Sequence, residues 1–155
     1  MKRIALLIAA LTAIALAQAV PTKLEIQDVE VTVPVSPTNY PFFPVDYPGE
    51  VEVPVLATDA AGNGVGGVKV DWTVENRAKN PIYVIRAWDG GNVKRLKITL
   101  KAGEKATLGT TTDSKGETKI MLNATDAGQA RLTITSGKLT ALNLRGVVQT
   151  IDWIK

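Results

Sequence analysis

Val68-Lys69-Val70-Asp71-Trp72-Thr73-Val74-Glu75 alternates without a break, with Val68, Val70, Trp72 and Val74 on one face and Lys69, Asp71, Thr73 and Glu75 on the other. Successive side chains of a strand point to opposite faces, so a period of two marks a strand with one face buried and one in water. Trp72 is thereby assigned to the core. Upstream, Asp59–Gly67 collects Gly62, Asn63, Gly64, Gly66 and Gly67, residues that accept turn conformations. Before that turn, residues 51–58 alternate in the same way, with Val51, Val53, Val55 and Ala57 inward. Pro54 has no amide donor, which points to an edge position or a bulge.

Downstream, residues 82–88 and 93–101 flank Asp89-Gly90-Gly91-Asn92 and read as a hairpin whose glycines take positive φ. Leu96, Ile98 and Leu100 are expected to face in, and Arg95, Lys97, Thr99 and Lys101 to face out. Further strands are predicted over 106–112, over 117–123 with Thr118, Ile120 and Leu122 inward, and over 129–135 with Ala130, Leu132 and Ile134 inward. The tail, 139–154, holds one or two more. At the other end, Leu24 and Ile26, then Val29, Val31, Val33 and Val35, form a first strand with a phase slip at Gln27-Asp28 that suits a bulge. Residues 36–50 contain Pro37, Pro41, Pro44 and Pro48 and are read as an extended surface loop. The result is an all-β chain of about eight or nine short antiparallel strands, the pattern of a sandwich or barrel.

The N-terminus has a different character. Met1-Lys2-Arg3 precedes an uncharged, largely apolar run from Ile4 to Leu16, and Ala17-Gln18-Ala19 offers small residues for a signal peptidase. The run is short for a membrane span. We read 1–19 as a cleaved signal peptide, with Ala15-Leu16-Ala17 as a second possible site and a retained anchor helix as the competing reading. Residues 20–155 then form one domain, large enough to bury a core. Lys2 and Arg3 leave with the signal, so sixteen basic side chains face fifteen acidic ones. The balance is uneven, because residues 77–105 carry eight basic side chains against Asp89 and Glu104.

The stretch 51–136 resembles a bacterial immunoglobulin-like domain of the invasin and intimin type. The resemblance rests on the Asp59, Gly62, Asn63 turn, the strand Val68–Val74, the run Thr111-Thr112-Asp113-Ser114-Lys115-Gly116, the strand Thr118–Leu122 and the Gly-led strand from Gly128 to Thr135. It implies an Ig-like β-sandwich and service in surface adhesins, often as repeated stalk modules. The hairpin over 77–101 is longer than the connection usual there.

The chain contains no His and no Cys. The commonest general base, the thiolate nucleophile, the favoured zinc ligands and any disulfide are therefore lacking, and so is lipid attachment through an N-terminal cysteine. Catalysis is not expected, and no cofactor or metal is. Asp59, Asn63, Asp113 and Asp126 are oxygen donors in Gly-containing loops suited to calcium, but the same residues cap turns through their own backbone, which is the simpler reading.

Two binding regions stand out. Tyr40, Phe42, Phe43 and Tyr47 crowd into the proline-rich loop, either as an exposed patch or as a lid over the end of the sandwich. Arg86, Trp88, Lys94, Arg95 and Lys97 lie on the hairpin. The four cations, with Lys101, serve either to attract a polyanion such as an acidic envelope glycan, with Trp88 to stack on a sugar or base, or as a solvated face that discourages edge-to-edge aggregation. The expectation is an exported, non-catalytic binding or structural module of the bacterial envelope or surface, with an envelope protein or anionic glycan as partner. Nucleic acid is not expected as a partner, nor is a membrane span once the signal is removed. The alternative is a periplasmic accessory or inhibitor that engages another protein through an exposed strand edge. Periplasm, surface and medium all remain open, and nothing sets an oligomeric state.

Overall fold

The structure, a computed structural model, describes residues 19–27, 42–141 and 148–154. Among them are eleven strands and no helix: β1 (Lys23–Ile26), β2 (Phe42–Asp46), β3 (Gly49–Thr58), β4 (Lys69–Asn76), β5 (Ile82–Asp89), β6 (Asn92–Leu100), β7 (Lys105–Thr111), β8 (Glu117–Ala124), β9 (Gly128–Ser136), β10 (Leu139–Thr140) and β11 (Val148–Ile154). They build two sheets, one ordered β1-β3-β8-β5-β6 and the other β2-β11-β9-β4-β7, with β10 paired to β9. This is a β-sandwich, and the alternation read from the sequence decides what lies between its layers. Val53, Val55, Ala57, Val70, Trp72, Val74, Ile120, Leu122 and Ala130 are fully buried.

The sheets differ from the sequence reading in three places. Residues 42–46, expected within a surface loop, are a strand, and β3 already begins at Gly49. β2 runs parallel to β11, the one parallel pairing among the described strands. Pro44 is tolerated because β2 lies at a sheet edge, where one side of the strand has no ladder to complete. β1 covers Lys23–Ile26, and the continuation expected over Val29–Val35 falls within residues 28–41, outside the described ones. Residues 1–18 lie outside them too. Pro54 sits in the second strand from the edge, but β1 pairs β3 only from Val55 to Thr58. A residue's N–H and C=O point to the same side of a strand, and the Pro54 carbonyl accepts from Gln27 N at the β1 side. The missing donor therefore faces Gln27, one residue past the end of the β1 ladder, at the cost of a single hydrogen bond.

Polar groups join the layers at two places and fasten a loop at a third. Trp72 Nε1 donates to Thr110 Oγ1 at 2.8 Å, the Thr110 and Thr118 hydroxyls lie 2.7 Å apart, and Thr118 Oγ1 is 2.7 Å from the Trp88 carbonyl. Each hydroxyl has one proton, so a single direction satisfies every group: Trp72 to Thr110, Thr110 to Thr118, Thr118 to the Trp88 carbonyl. The chain crosses from β4 and β7 in one sheet to β8 and β5 in the other. Buried Asn76 ties the end of β4 to the end of β6, its Nδ2 donating to Leu100 O at 2.8 Å and Asn80 O at 2.9 Å while Oδ1 accepts from Ala78 N. Finally, Thr112 Oγ1 donates to Val65 O and accepts from Val68 N, which fastens the 59–67 loop against β7. A Cβ on Gly64 would lie 1.8 Å from Lys115 O, so this contact requires glycine.

Candidate functional site

The hairpin β5–β6 carries a change of register that determines its outer face. Between Val84 and Arg86, β5 holds one residue more than β8, whose partners there are Leu122 and Met121. Over the same step β6 holds one residue more than β5, pairing Ile98 with Val84 and Arg95 with Arg86. Alternation counted from buried Ile82 and Val84 would carry Arg86 and Trp88 into the core. The extra residue reverses the phase, so Ala87 is buried and Arg86 and Trp88 emerge on the outside.

Three rows of side chains result on the outer face of the five-stranded sheet. Pro54, Lys119, Trp88 and Val93 form one, Glu52, Met121, Arg86 and Arg95 the next, and Glu50, Asn123, Tyr83 and Thr99 the third. Arg86 and Arg95 are direct cross-strand partners, and Lys97 follows Arg95 on the same face of β6. Arg95 and Lys97 are exposed and Arg86 half-buried. No carboxylate pairs with any of the three among the described residues. Like charges directly opposite one another destabilise a sheet, so these cations are arranged against the interest of the fold alone. Together with Ile85 and Leu96 they line a shallow hollow at the register change.

Lys94 is set apart from them. It lies opposite Ala87, on the other face of the strand, and pairs with Asp89. Hydrogen bonds from Lys94 and then from Thr111 hold the Asp89 carboxyl below the usual carboxylate range. Trp88 is half-buried, and the Lys119 ammonium lies 4.3 Å from the centre of its ring while also pairing with Glu52 at 2.6 Å. The Trp88 indole N–H has no acceptor among the described residues. Beside it opens a groove of about 560 Å³ whose walls include Gln27, Glu52, Trp88, Glu117 and Lys119. Val93, opposite Trp88, is 56% exposed.

The aromatic cluster lies elsewhere. β2 is the edge of the second sheet, whereas β6, followed by the short turn into β7, lies at the opposite side of the sandwich. The two candidate patches are thus not one surface. Tyr40 is outside the described residues. Phe42 and Phe43 pair through their backbone with Thr150 and Ile151, and their side chains are also outside the described set. Tyr47 is half-buried and packs against the core.

The loop carboxylates are engaged by their own turns. Asp59 Oδ1 accepts from Ala61 N and Asn63 N, Asp113 Oδ1 from Lys115 N and Glu117 N, and Asp126 Oδ1 from Ala127 N. Hydrogen bonds from Asn63, foremost its backbone, lower the Asp59 pKa. Sequence reasoning named the basic side chains but missed Lys119, Glu52 and Glu117. They stand beside Trp88 only through the pairing of β5, β8 and β3, which no local pattern announces.

No protein-family model matches the chain, and no curated protein matches it. Among solved structures it is similar to a conjugative transposon lipoprotein from Bacteroides eggerthii, with 10% identity over 86% of this chain and 96% of that one, at a TM-score of 0.39. It is also similar to the ASH/PapD-like domain 7 of human CEP192, with 15% identity over 100% of this chain and 98% of that one, at a TM-score of 0.25.

Proposed function

We propose that this chain is an exported, non-catalytic binding module of a bacterial cell envelope, Ig-like in the manner of invasin and intimin. Its ligand-binding surface is the outer face of the five-stranded sheet, and its ligand an anionic glycan. One observation carries the reading: Arg86 and Arg95 oppose each other across a ladder, beside Lys97, with no carboxylate among the described residues to neutralise them. A ligand bearing carboxylate, sulfate or phosphate removes that repulsion on binding, and Arg supplies the paired donors such groups take. The absence of His and Cys from the sequence supports a role without catalysis, and the leader over 1–19 supports export.

The test is retention of the purified exported protein on immobilised dextran sulfate of low substitution, in which most sugar units carry no charge, against unmodified dextran, across a salt series. Wild type is held by dextran sulfate and released by salt. Arg86→Ala/Arg95→Ala, with an unchanged or slightly raised thermal midpoint, is not held. Equal retention of the folded double variant sinks the reading. A second reading has support in β6, a nine-residue edge strand without proline that can pair with an added strand of a protein partner. Capture of that kind survives alanine at both arginines, because alanine keeps the backbone donors, and fails with a proline in β6.

A further inference from the structure

We infer that the glycan bound at this face carries its acid groups singly, a uronic acid alternating with an uncharged sugar, and that Trp88 divides an acid-binding subsite from a neutral one. The inference rests on the anionic-glycan reading above and adds the distribution of charge along the ligand.

The face is electrically two-ended. On one side of the Trp88 row stand Arg86, Arg95 and Lys97, three cations without partners among the described residues. On the other side the sign changes, because Glu117, two residues before Lys119 on β8, lies across the Trp88 row from Met121 and Arg86 and lines the groove. Glu52, in the Arg86 row, is neutralised by Lys119 at 2.6 Å, and the Asp113 carboxylate is occupied by the amides of its own turn. The Glu117 carboxylate has no partner, and the Gln27 amide side chain is also unengaged among the described residues. Residues two apart on a strand are separated by about 7 Å, so Arg86 and Trp88 stand within the span of neighbouring sugar units.

A polymer with an acid on every unit that placed one anion between Arg86 and Arg95 would drive the next toward Glu117. A unit without charge meets no such cost. It finds instead an indole N–H, an amide and a carboxylate free to bond hydroxyls, beside a half-buried tryptophan that Lys119 covers on one face and whose remaining apolar surface meets the C–H side of a sugar. The groove volume, about 560 Å³, lies within the range of about 300–1,000 Å³ that small-ligand sites occupy. Nucleic acid and polyphosphate, charged at every unit, fit this distribution badly.

Trp88 is also the reporter, since Trp72 and Trp153 are buried at 0% and 1% exposure. The experiment titrates the purified protein with oligosaccharides of equal length from hyaluronan, which alternates uronate with a neutral sugar, and from polygalacturonate, acidic at every unit. Tryptophan fluorescence and calorimetry are the readouts. Wild type is expected to bind the alternating glycan at least tenfold more tightly, with a change in Trp88 emission. Glu117→Lys should reduce that preference at least fivefold, and the milder Glu117→Gln should move it the same way. Arg86→Ala/Arg95→Ala should lose both ligands. Equal or tighter binding of polygalacturonate by wild type, or no effect of either Glu117 variant, overturns the two-ended ligand while leaving the anionic face standing. If wild type binds neither oligosaccharide nor dextran sulfate, the underlying reading itself is overturned.

Discussion

Asn76 offers the sharpest test of how this sandwich is closed. Its side chain is the one fully buried amide at the end of β4, and it satisfies three backbone groups at once: the carbonyls of Leu100 and Asn80 and the N–H of Ala78. Truncation in Asn76→Ala strands the Leu100 carbonyl in a buried site and leaves the other two to whatever water reaches them. A buried group deprived of its partner costs about 1–3 kcal/mol, and the partly buried pair adds less each, so the expected loss is about 3–5 kcal/mol. That is a large fraction of the roughly 5–15 kcal/mol that holds a domain folded. It corresponds to a fall in Tm of roughly 8–15 °C for a chain of this size. Asn80→Ala is the matched control, because its amide makes a single exposed hydrogen bond, to Ala127 O, and its removal should cost under about 1 kcal/mol. Urea unfolding of the two variants beside wild type measures the difference. Should Asn76→Ala fall within about 1 kcal/mol of Asn80→Ala, the argument that this amide fastens β4 to β6 is refuted.

Other positions give independent checks. Thr110→Val interrupts the hydrogen-bond chain between Trp72 and Thr118 and should cost about 2–3 kcal/mol, with Thr118→Val less than additive in a double-mutant cycle; additive losses would mean the two hydroxyls act separately. Gly64→Ala forces a Cβ against Lys115 O and should cost about 3 kcal/mol or more. Gly62→Ala, with open space but φ of 86°, should cost about 1–2 kcal/mol, so comparable melts for the two would contradict the close approach. Burial raises the Asp152 pKa against a weaker opposing hydrogen bond from Gln129, so wild type loses stability as pH rises from the unfolded-state value, about 3.9, through the raised folded one. Asp152→Asn should therefore gain on wild type between pH 3 and pH 7, and denaturation at both values that shows no such gain would reject the assignment. Asn123 Oδ1 is buried with no donor among the described residues, so Asn123→Val should be neutral or stabilising by about 1 kcal/mol in thermal melts, and a clear loss would reveal a partner.

The parts of the fold legible in the sequence were those decided by local alternation. Val68–Val74, Val51–Ala57 and Thr118–Leu122 each carry their buried face in every second residue, and each is a strand with those residues inside. The turns at 59–67 and 113–116 were legible for a related reason, because Asp and Gly declare the backbone geometry they accept. What escaped depended on neighbours. β2 is a strand because β11 lies alongside it, a fact no proline-rich segment announces by itself. Asn76 reads as the polar end of an alternating run, yet its role is set by Leu100, twenty-four residues away.

The candidate site shows the same division at finer scale. Ile82 to Asp89 gives no local sign of a break in period, and strict alternation from Ile82 and Val84 would place a guanidinium and an indole in the core. The displacement at Ile85 arises because the strand must keep Ala87 opposite Ile120 while admitting one residue more than β8. Ala87 is the only small apolar side chain in that stretch, and burying it costs less than burying Arg86, whose charge would need a partner that no inward side chain of β8 supplies. The register change is thus the way this composition forms a strand at all. Its consequence is that Arg86 comes to lie opposite Arg95, with Trp88 one row away. The basic face is therefore legible as composition, while its geometry, and with it the case for a ligand, exists only in the pairing of three strands.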